Sequence, residues 1–167
     1  ALQLCVKMLE RMTDRTQSDE EHAHLLCSLG QIYLMQGILA YESAMKAFKD
    51  ASKLDPNNVP ALEGMIFTQL SEGMFDDAEG QIELLAVMHS ADELSPEFYY
   101  LKAMLAKHRQ GVQSRGNDSQ QTPEHLLSLD DCRKRFFARA ACAQESSSFA
   151  YLTNLNADFL LKLAVDY

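Results

Sequence analysis

The chain holds no tryptophan, four cysteines, four prolines and seven glycines among 167 residues, and its 15 Lys and Arg are outnumbered by 24 Asp and Glu. Each shortage excludes something. Cys5, Cys27, Cys132 and Cys142 lie apart without a CxxC pair, so neither a disulfide framework nor a zinc finger is indicated, and a reducing compartment suits the chain. The formal net charge of −9 argues against a nucleic-acid surface, because phosphate binding needs clustered Lys and Arg. The one basic cluster, Arg133, Lys134 and Arg135, adjoins Asp130 and Asp131 and reads as a solvated helix face. No apolar run approaches the roughly 20 residues that span a bilayer, and no stretch reads as a signal peptide, so direct membrane insertion is not expected. The chain opens on Ala1 rather than Met and stops at Tyr167 inside an amphipathic pattern. That predicts an internal slice of a longer polypeptide.

What is present is helix-forming. Ala, Leu, Met, Glu, Lys and Gln dominate, and Gly and Pro fall at the edges of periodic segments. With 47% hydrophobic content, the length suits one domain with one substantial core. Within it a pattern occurs twice: Ala44, Phe48 and Ala51 are followed by Ala78, Ile82 and Leu85, each displaced by 34 residues. That displacement is the period of a tetratricopeptide repeat. Spacings of four and three put each trio on one helix face, small then large then small. Such a face admits a closely packed partner helix, and a lone repeat cannot hide it. The expected fold is all-α, a tetratricopeptide-repeat α-solenoid of stacked antiparallel helix pairs in a right-handed superhelix.

Taken in order, residues 1–17 read as the end of a preceding repeat, with Leu2, Val6, Leu9 and Met12 on one stripe. A repeat over 18–58 follows. Ser18 with Glu21 predicts a capping box and a helix over 19–36, carrying Leu26, Leu29, Gly30 and Tyr33 and ended by Gly37. Tyr33 to Ala44 is two residues longer than the usual interval, which predicts an enlarged turn at Ile38 to Ala40 or a longer second helix. Helix 40–54 then meets Pro56. The next repeat, 59–92, has Pro60 in its first turn, Gly73 as a stop, and Asp76 and Asp77 at the start of its second helix. A degenerate repeat over 93–145 starts at Ser95 and Pro96, ends its first helix near Gly111, and resumes at Thr122 and Pro123 with Leu126, Leu129, Phe136 and Phe137 on a broad apolar face. Between them, 110–123 is a polar, aperiodic insertion. Residues 146–167 open the following helices, with Asn156 and Asp158 as caps for Phe159, Leu160 and Leu163.

Chemistry-bearing clusters are few. His22, His24 and Cys27 sit close enough to suggest a metal, but no further ligand is in sight, and an ordinary helix start with two exposed His and a core-edge Cys accounts for them. Glu20, Glu21, Glu72, Asp76, Asp77 and Glu79 fall where the helix dipole favours negative charge. No nucleophile elbow, phosphate loop, dinucleotide fingerprint or HExxH occurs, so the expectation is no enzyme, no cofactor and no metal. The Asn117-Asp118-Ser119 sequon matters only in a secreted protein. The eight methionines, at helix-face spacing, read as core filling. The functional surface of a repeat stack is the lining made by its first helices. Here that predicts a partner-binding groove of His24, Gln31, Leu34, Glu63, Phe67 and Leu70, with Cys27 among them. Cys27, Gln31, Glu63 and Gly64 cannot form the cationic clamp by which co-chaperones of the superfamily hold a peptide's terminal carboxylates.

Met35, Gln36 and Gly37, then Ala44 to Lys46, then Leu54 and Asp55, then ALEGMIFTQLSEGMFDDAEGQIELL over 61–85 resemble the large tetratricopeptide-repeat subunit of intraflagellar transport complex A, the tetratricopeptide repeat protein 21 family. Tyr151, Leu155, Asn156, Asp158, Phe159, Leu160 and Leu161 match that family's Tyr and Leu-Asn-Pro-Asp-Phe-Leu-Leu signature. Ala157 stands where Pro is expected, and the insertion 110–123 is longer and more polar. The resemblance implies a non-catalytic scaffold for protein-protein interaction, on the cytoplasmic side of the cilium and basal body. It implies a role in retrograde transport and membrane-protein entry, with other complex A subunits as partners. A peptide-binding co-chaperone or targeting receptor is the alternative. Exposed repeat ends predict self-association of the isolated segment.

Overall fold

Apolar residues three and four apart, unbroken by Gly or Pro, favour helix wherever they run. The computed structural model, which describes residues 2–16, 18–90, 94–113, 124–144 and 164–165, contains no strand among them. Its helices are α1 (Leu2–Thr13), α2 (Asp19–Gln36), α3 (Tyr41–Leu54), α4 (Val59–Glu72), α5 (Phe75–Met88), α6 (Pro96–Gln113) and α7 (Glu124–Gln144). The chain divides into two compact units, Ala1–Gln81 and Ile82–Tyr167, with the boundary inside α5.

In the first unit α2 packs against α1, α3 and α4. The turn into α3 is a 3-10 helix, Ile38–Ala40, entered through Gly37 at a φ of 92°. It absorbs the two extra residues of this repeat. The fully buried cluster is made of Ala23, Cys27, Ala44, Phe48, Ala51 and Ala61, with Leu26, Tyr33, Leu34, Leu54 and Met65 packed around it. Phe48 is the one large side chain in that buried set. A Cβ on Gly30 would lie 2.6 Å from its ring, and one on Gly64 only 2.4 Å from it. The far edge of the ring therefore rests on bare backbone of both α2 and α4. Small residues bring the three helices together, and one aromatic ring fills what they leave.

Helix ends follow local chemistry. The predicted Ser18 capping box is absent: Ser18 makes no side-chain cap, and the His22 amide donates to the Ser18 carbonyl at 2.9 Å. Ser18 is exposed, so water can serve the free amides, and Asp19, Glu20 and Glu21 complement the dipole. The side-chain cap forms instead at Asn58, whose Oδ1 accepts from the Ala61 amide at 3.1 Å. Gly73, at a φ of 82°, closes α4, and the Met74 amide donates to the Gln69 carbonyl at 2.9 Å, a Schellman arrangement. On α1, Val6 is buried, Leu2, Leu9 and Thr13 are half-buried, and Met12 is exposed. That corrects the predicted stripe, since position 13 continues the 2, 6, 9 face and position 12 does not.

In the second unit α6 packs against α7. Ser95 caps α6 as predicted, its Oγ accepting from the Phe98 amide at 2.9 Å. Phe98, Leu101, Leu105, Leu129, Cys132 and Phe136 are buried. Phe137, expected on the same face, is exposed, because consecutive helix residues point about 100° apart. Arg139 reaches across to Glu97 with nitrogen-oxygen distances of 3.0 and 3.3 Å, and Arg135 lies 4.6 Å from the centre of the Tyr99 ring. α6 continues to Gln113, past the expected stop at Gly111. The remainder of the insertion, the sequon at Asn117 and the predicted helices over 146–163 lie outside the described residues.

None of the eight methionines is in the buried core: Met45, Met65 and Met104 are half-buried, and Met8, Met12, Met35, Met74 and Met88 are exposed. The expectation of core filling fails: Met65 packs only against the edge of the buried cluster, whose one large side chain is Phe48.

Gly64→Ala is expected to destabilise the chain by about 1–2 kcal/mol, overpacking against the Phe48 ring outweighing the gain in helix propensity. Gly80→Ala, whose Cβ would meet nothing within 4 Å, is expected to stabilise it by about 0.5–1 kcal/mol. Urea denaturation of both variants checks the pair, and equal and opposite-to-expected shifts would contradict the Phe48 packing.

Candidate interaction surface

The predicted groove residues do not share one environment. His24 and Gln31 are exposed on α2, two turns apart, while Cys27 between them is buried. Leu34 is half-buried against the core cluster, and Phe67 on α4 is half-buried. Two of the predicted lining residues need correction: Glu63 is only 9% exposed and Leu70 only 5%. α4 is buried on a wider arc than its spacing suggests, and Ala61, Glu63, Ile66, Thr68, Gln69 and Leu70 are all covered. The surface these six residues leave open is therefore the α2 edge, His24 and Gln31, backed by Leu34, with Phe67 at its margin.

α2 and α4 nonetheless meet where the repeat spacing places them. Burial pushes the Cys27 thiol up to about 11, and the Glu63 carboxylate adds to the shift. The thiol stays neutral at physiological pH, which makes it a poor nucleophile. His22 is half-buried and His24 exposed; among the described residues no group of three His, Cys, Asp or Glu is placed to hold a metal ion. At the α1 contact the Tyr33 hydroxyl donates to Glu10 at 3.2 Å. Burial and that carboxylate raise the Tyr33 hydroxyl above its ordinary range.

The basic cluster on α7 is spent internally. Asp130 receives Arg133 and Lys134, each at 2.6 Å, and Lys134 also lies 3.8 Å from Asp131. Lys134 and Arg133 hold the Asp130 carboxyl below its usual range. Two of the cluster's three cations are thus paired with carboxylates, and Arg135 lies over the Tyr99 ring. No described helix is long and apolar enough to cross a membrane.

The enlarged turn expected at Ile38 to Ala40 is present, but the exposure of its side chains was not foreseen. Ile38 and Leu39 stand out into solvent beside exposed Met35. The two-residue excess between Tyr33 and Ala44 was the available signal, since residues inserted at a turn have no partner helix to cover them.

Comparison with known proteins adds the following. The family model for the tetratricopeptide repeat protein 21 second ARM domain matches residues 1–167. Tetratricopeptide repeat protein 21B of Homo sapiens is 29% identical over 166 residues, covering 99% of this chain and 12% of the relative. That of Mus musculus is 28% identical over 147 residues, covering 88% and 10%. That of Xenopus laevis is 24% identical over 162 residues, covering 97% and 11%. The chain spans about a tenth of the length of these curated relatives.

The buried thiols generate a pH prediction. Cys132 is pushed up to about 12, by burial first and then by Glu97. From about pH 9 upward an unfolded chain releases thiol protons that the folded chain keeps, so folding stability falls as pH rises toward the folded values. Urea midpoints are expected to be lower at pH 10.5 than at pH 8. At pH 8 iodoacetamide should label exposed Cys5 rapidly and Cys27 and Cys132 slowly, as read by peptide mass mapping; equal labelling of Cys5 and Cys27 would contradict the packing of α2.

Proposed function

We propose that this chain, which belongs to the tetratricopeptide repeat protein 21 family, is a non-catalytic scaffold segment that docks other subunits of intraflagellar transport complex A. The role is in retrograde ciliary transport and entry of ciliary membrane proteins, on the cytoplasmic side of the cilium and basal body. In this reading 18–58 and 59–92 are successive repeats, and 93–145 is a degenerate repeat carrying the insertion 110–123. Residues 1–17 and 146–167 belong to the neighbouring helices, and the whole of 1–167 serves as one solenoid segment.

The observation that supports the reading most is the pairing of a rigid helix stack with an unspent polar edge. Phe48 locks α2, α3 and α4 together, while His24 and Gln31 on α2 remain open to solvent. An edge held by a fixed backbone binds a partner with little ordering cost. A groove for acidic C-terminal peptides would need converging cations, and the α2 edge offers His24, Gln31 and buried Cys27 instead.

Co-purification from ciliated cells, using this chain as bait, tests the proposal. Complex A subunits are expected with the wild type. The pair His24→Ala and Gln31→Arg should weaken capture about tenfold, or about 1.4 kcal/mol, with the melting temperature unchanged because both sites are exposed. Capture of chaperones, or micromolar binding of acidic C-terminal peptides, would contradict it.

A further inference from the structure

The first unit sorts its charges by helix. α2 and α4 carry the carboxylates Asp19, Glu20, Glu21, Glu63 and Glu72 and no Lys or Arg, while α1 and α3 carry Lys7, Arg11, Lys46, Lys49 and Lys53. The nearest cation in sequence to the acidic end of α2 is Arg15, in the turn before it, and Asp14 precedes that arginine. The helix dipole offsets only about half a charge at the α2 N-terminus, so that end stays acidic. α2 also has a direction. Glu20, His24, Gln31 and Met35 fall on one face, and all four are exposed although α1, α3 and α4 pack around the helix. Ser28 on the same face is spent, its hydroxyl donating to the His24 carbonyl at 3.0 Å. Over about 22 Å of helix the edge passes from carboxylates through an imidazole and an amide to a thioether, and it runs out into the turn where Ile38 and Leu39 are exposed.

We infer that the α2 edge receives a segment of a partner protein that is basic at one end and apolar at the other. Its Lys or Arg meet Glu20 and Glu21, its middle hydrogen-bonds to His24 and Gln31, and its apolar side chains lie on Met35, Ile38 and Leu39. The inference rests on the docking role proposed for this edge and names the chemistry of its occupant. Charge selects that occupant. The net charge of −9 draws a cationic segment at long range and repels both a second copy of this chain and an anionic lipid surface, and neither α2 nor α4 holds a Lys or Arg to oppose the segment. The apolar end supplies what charge does not. Exposed ion pairs contribute little on their own, whereas an apolar contact at one end only fixes which way the segment lies, and an unbranched thioether adapts to the shape laid against it.

The test is fluorescence anisotropy with labelled helical peptides of about 15 residues, which match the edge in length: one with Lys at one end, Gln in the middle and Leu at the other, a twin with Glu in place of Lys, and a scramble of the first. The Lys peptide is expected to bind, with affinity falling as ionic strength rises, the Glu twin not to bind, and the scramble to bind at least tenfold more weakly. Glu20→Gln with Glu21→Gln, and separately Met35→Ser with Leu39→Ser, should each weaken the Lys peptide at least tenfold, with the circular-dichroism melt moved by no more than a few degrees because all four side chains are exposed. In co-purification the Glu20 and Glu21 pair should lose the same subunits as the His24 and Gln31 pair. Loss with the His24 and Gln31 pair but retention with the Glu20 and Glu21 pair would leave the docking edge standing and overturn the basic occupant; retention with both would overturn the edge and this inference with it. Equal binding of the Lys and Glu peptides, a scramble that binds as tightly as the first, or a dimer of this chain that the Glu20 and Glu21 pair abolishes would also overturn the inference.

Discussion

The first unit depends on one ring between two glycines. Phe48 has no exposed surface, and its only way into the cluster is through the missing side chains of Gly30 and Gly64. Burying a phenylalanine is worth roughly 1.5 to 3 kcal/mol by area alone, but here the ring of α3 also lies against the backbone of both α2 and α4. α3 packs on both α2 and α4 and supplies the ring that joins them. The three helices are thus held by a contact that no isolated helix hairpin could make.

That contact was half legible in the sequence. The displacement of Ala44, Phe48 and Ala51 onto Ala78, Ile82 and Leu85 identified the buried face, and all six of these residues are buried. Gly30 was recognised as small but not as a seat for the ring, because a facing position is a matter of three dimensions and not of spacing. Turn chemistry fared unevenly. Gly37, Gly73, Ser95 and Pro60 mark helix ends as their types demand, while the Ser18 capping box did not form and Asn58 did the capping at the next helix. Asn58 is held within the protein and Ser18 stands in water, and periodicity alone does not distinguish the two.

The exposed α2 edge was less legible. The first-helix positions were assigned outward as a set, yet Glu63 and Leu70 are covered while His24 and Gln31 are open. α4 lies within the stack, and a helix with neighbours on several sides buries residues that amphipathic spacing would expose. The methionines erred in the opposite direction. A residue type common in cores was read as core, yet five of the eight are exposed and three half-buried. The family match extends over residues 1–167.

Taken together, the first unit is a frame of three helices joined through one ring. The most direct test of that claim is native-state hydrogen exchange on Phe48→Leu, which removes the ring and keeps an apolar side chain. If the ring joins the helices, amides of α2, α3 and α4 should lose protection together, by the same free energy, in one cooperative opening. Loss confined to α3, with α2 and α4 exchanging as in the wild type, would contradict the account.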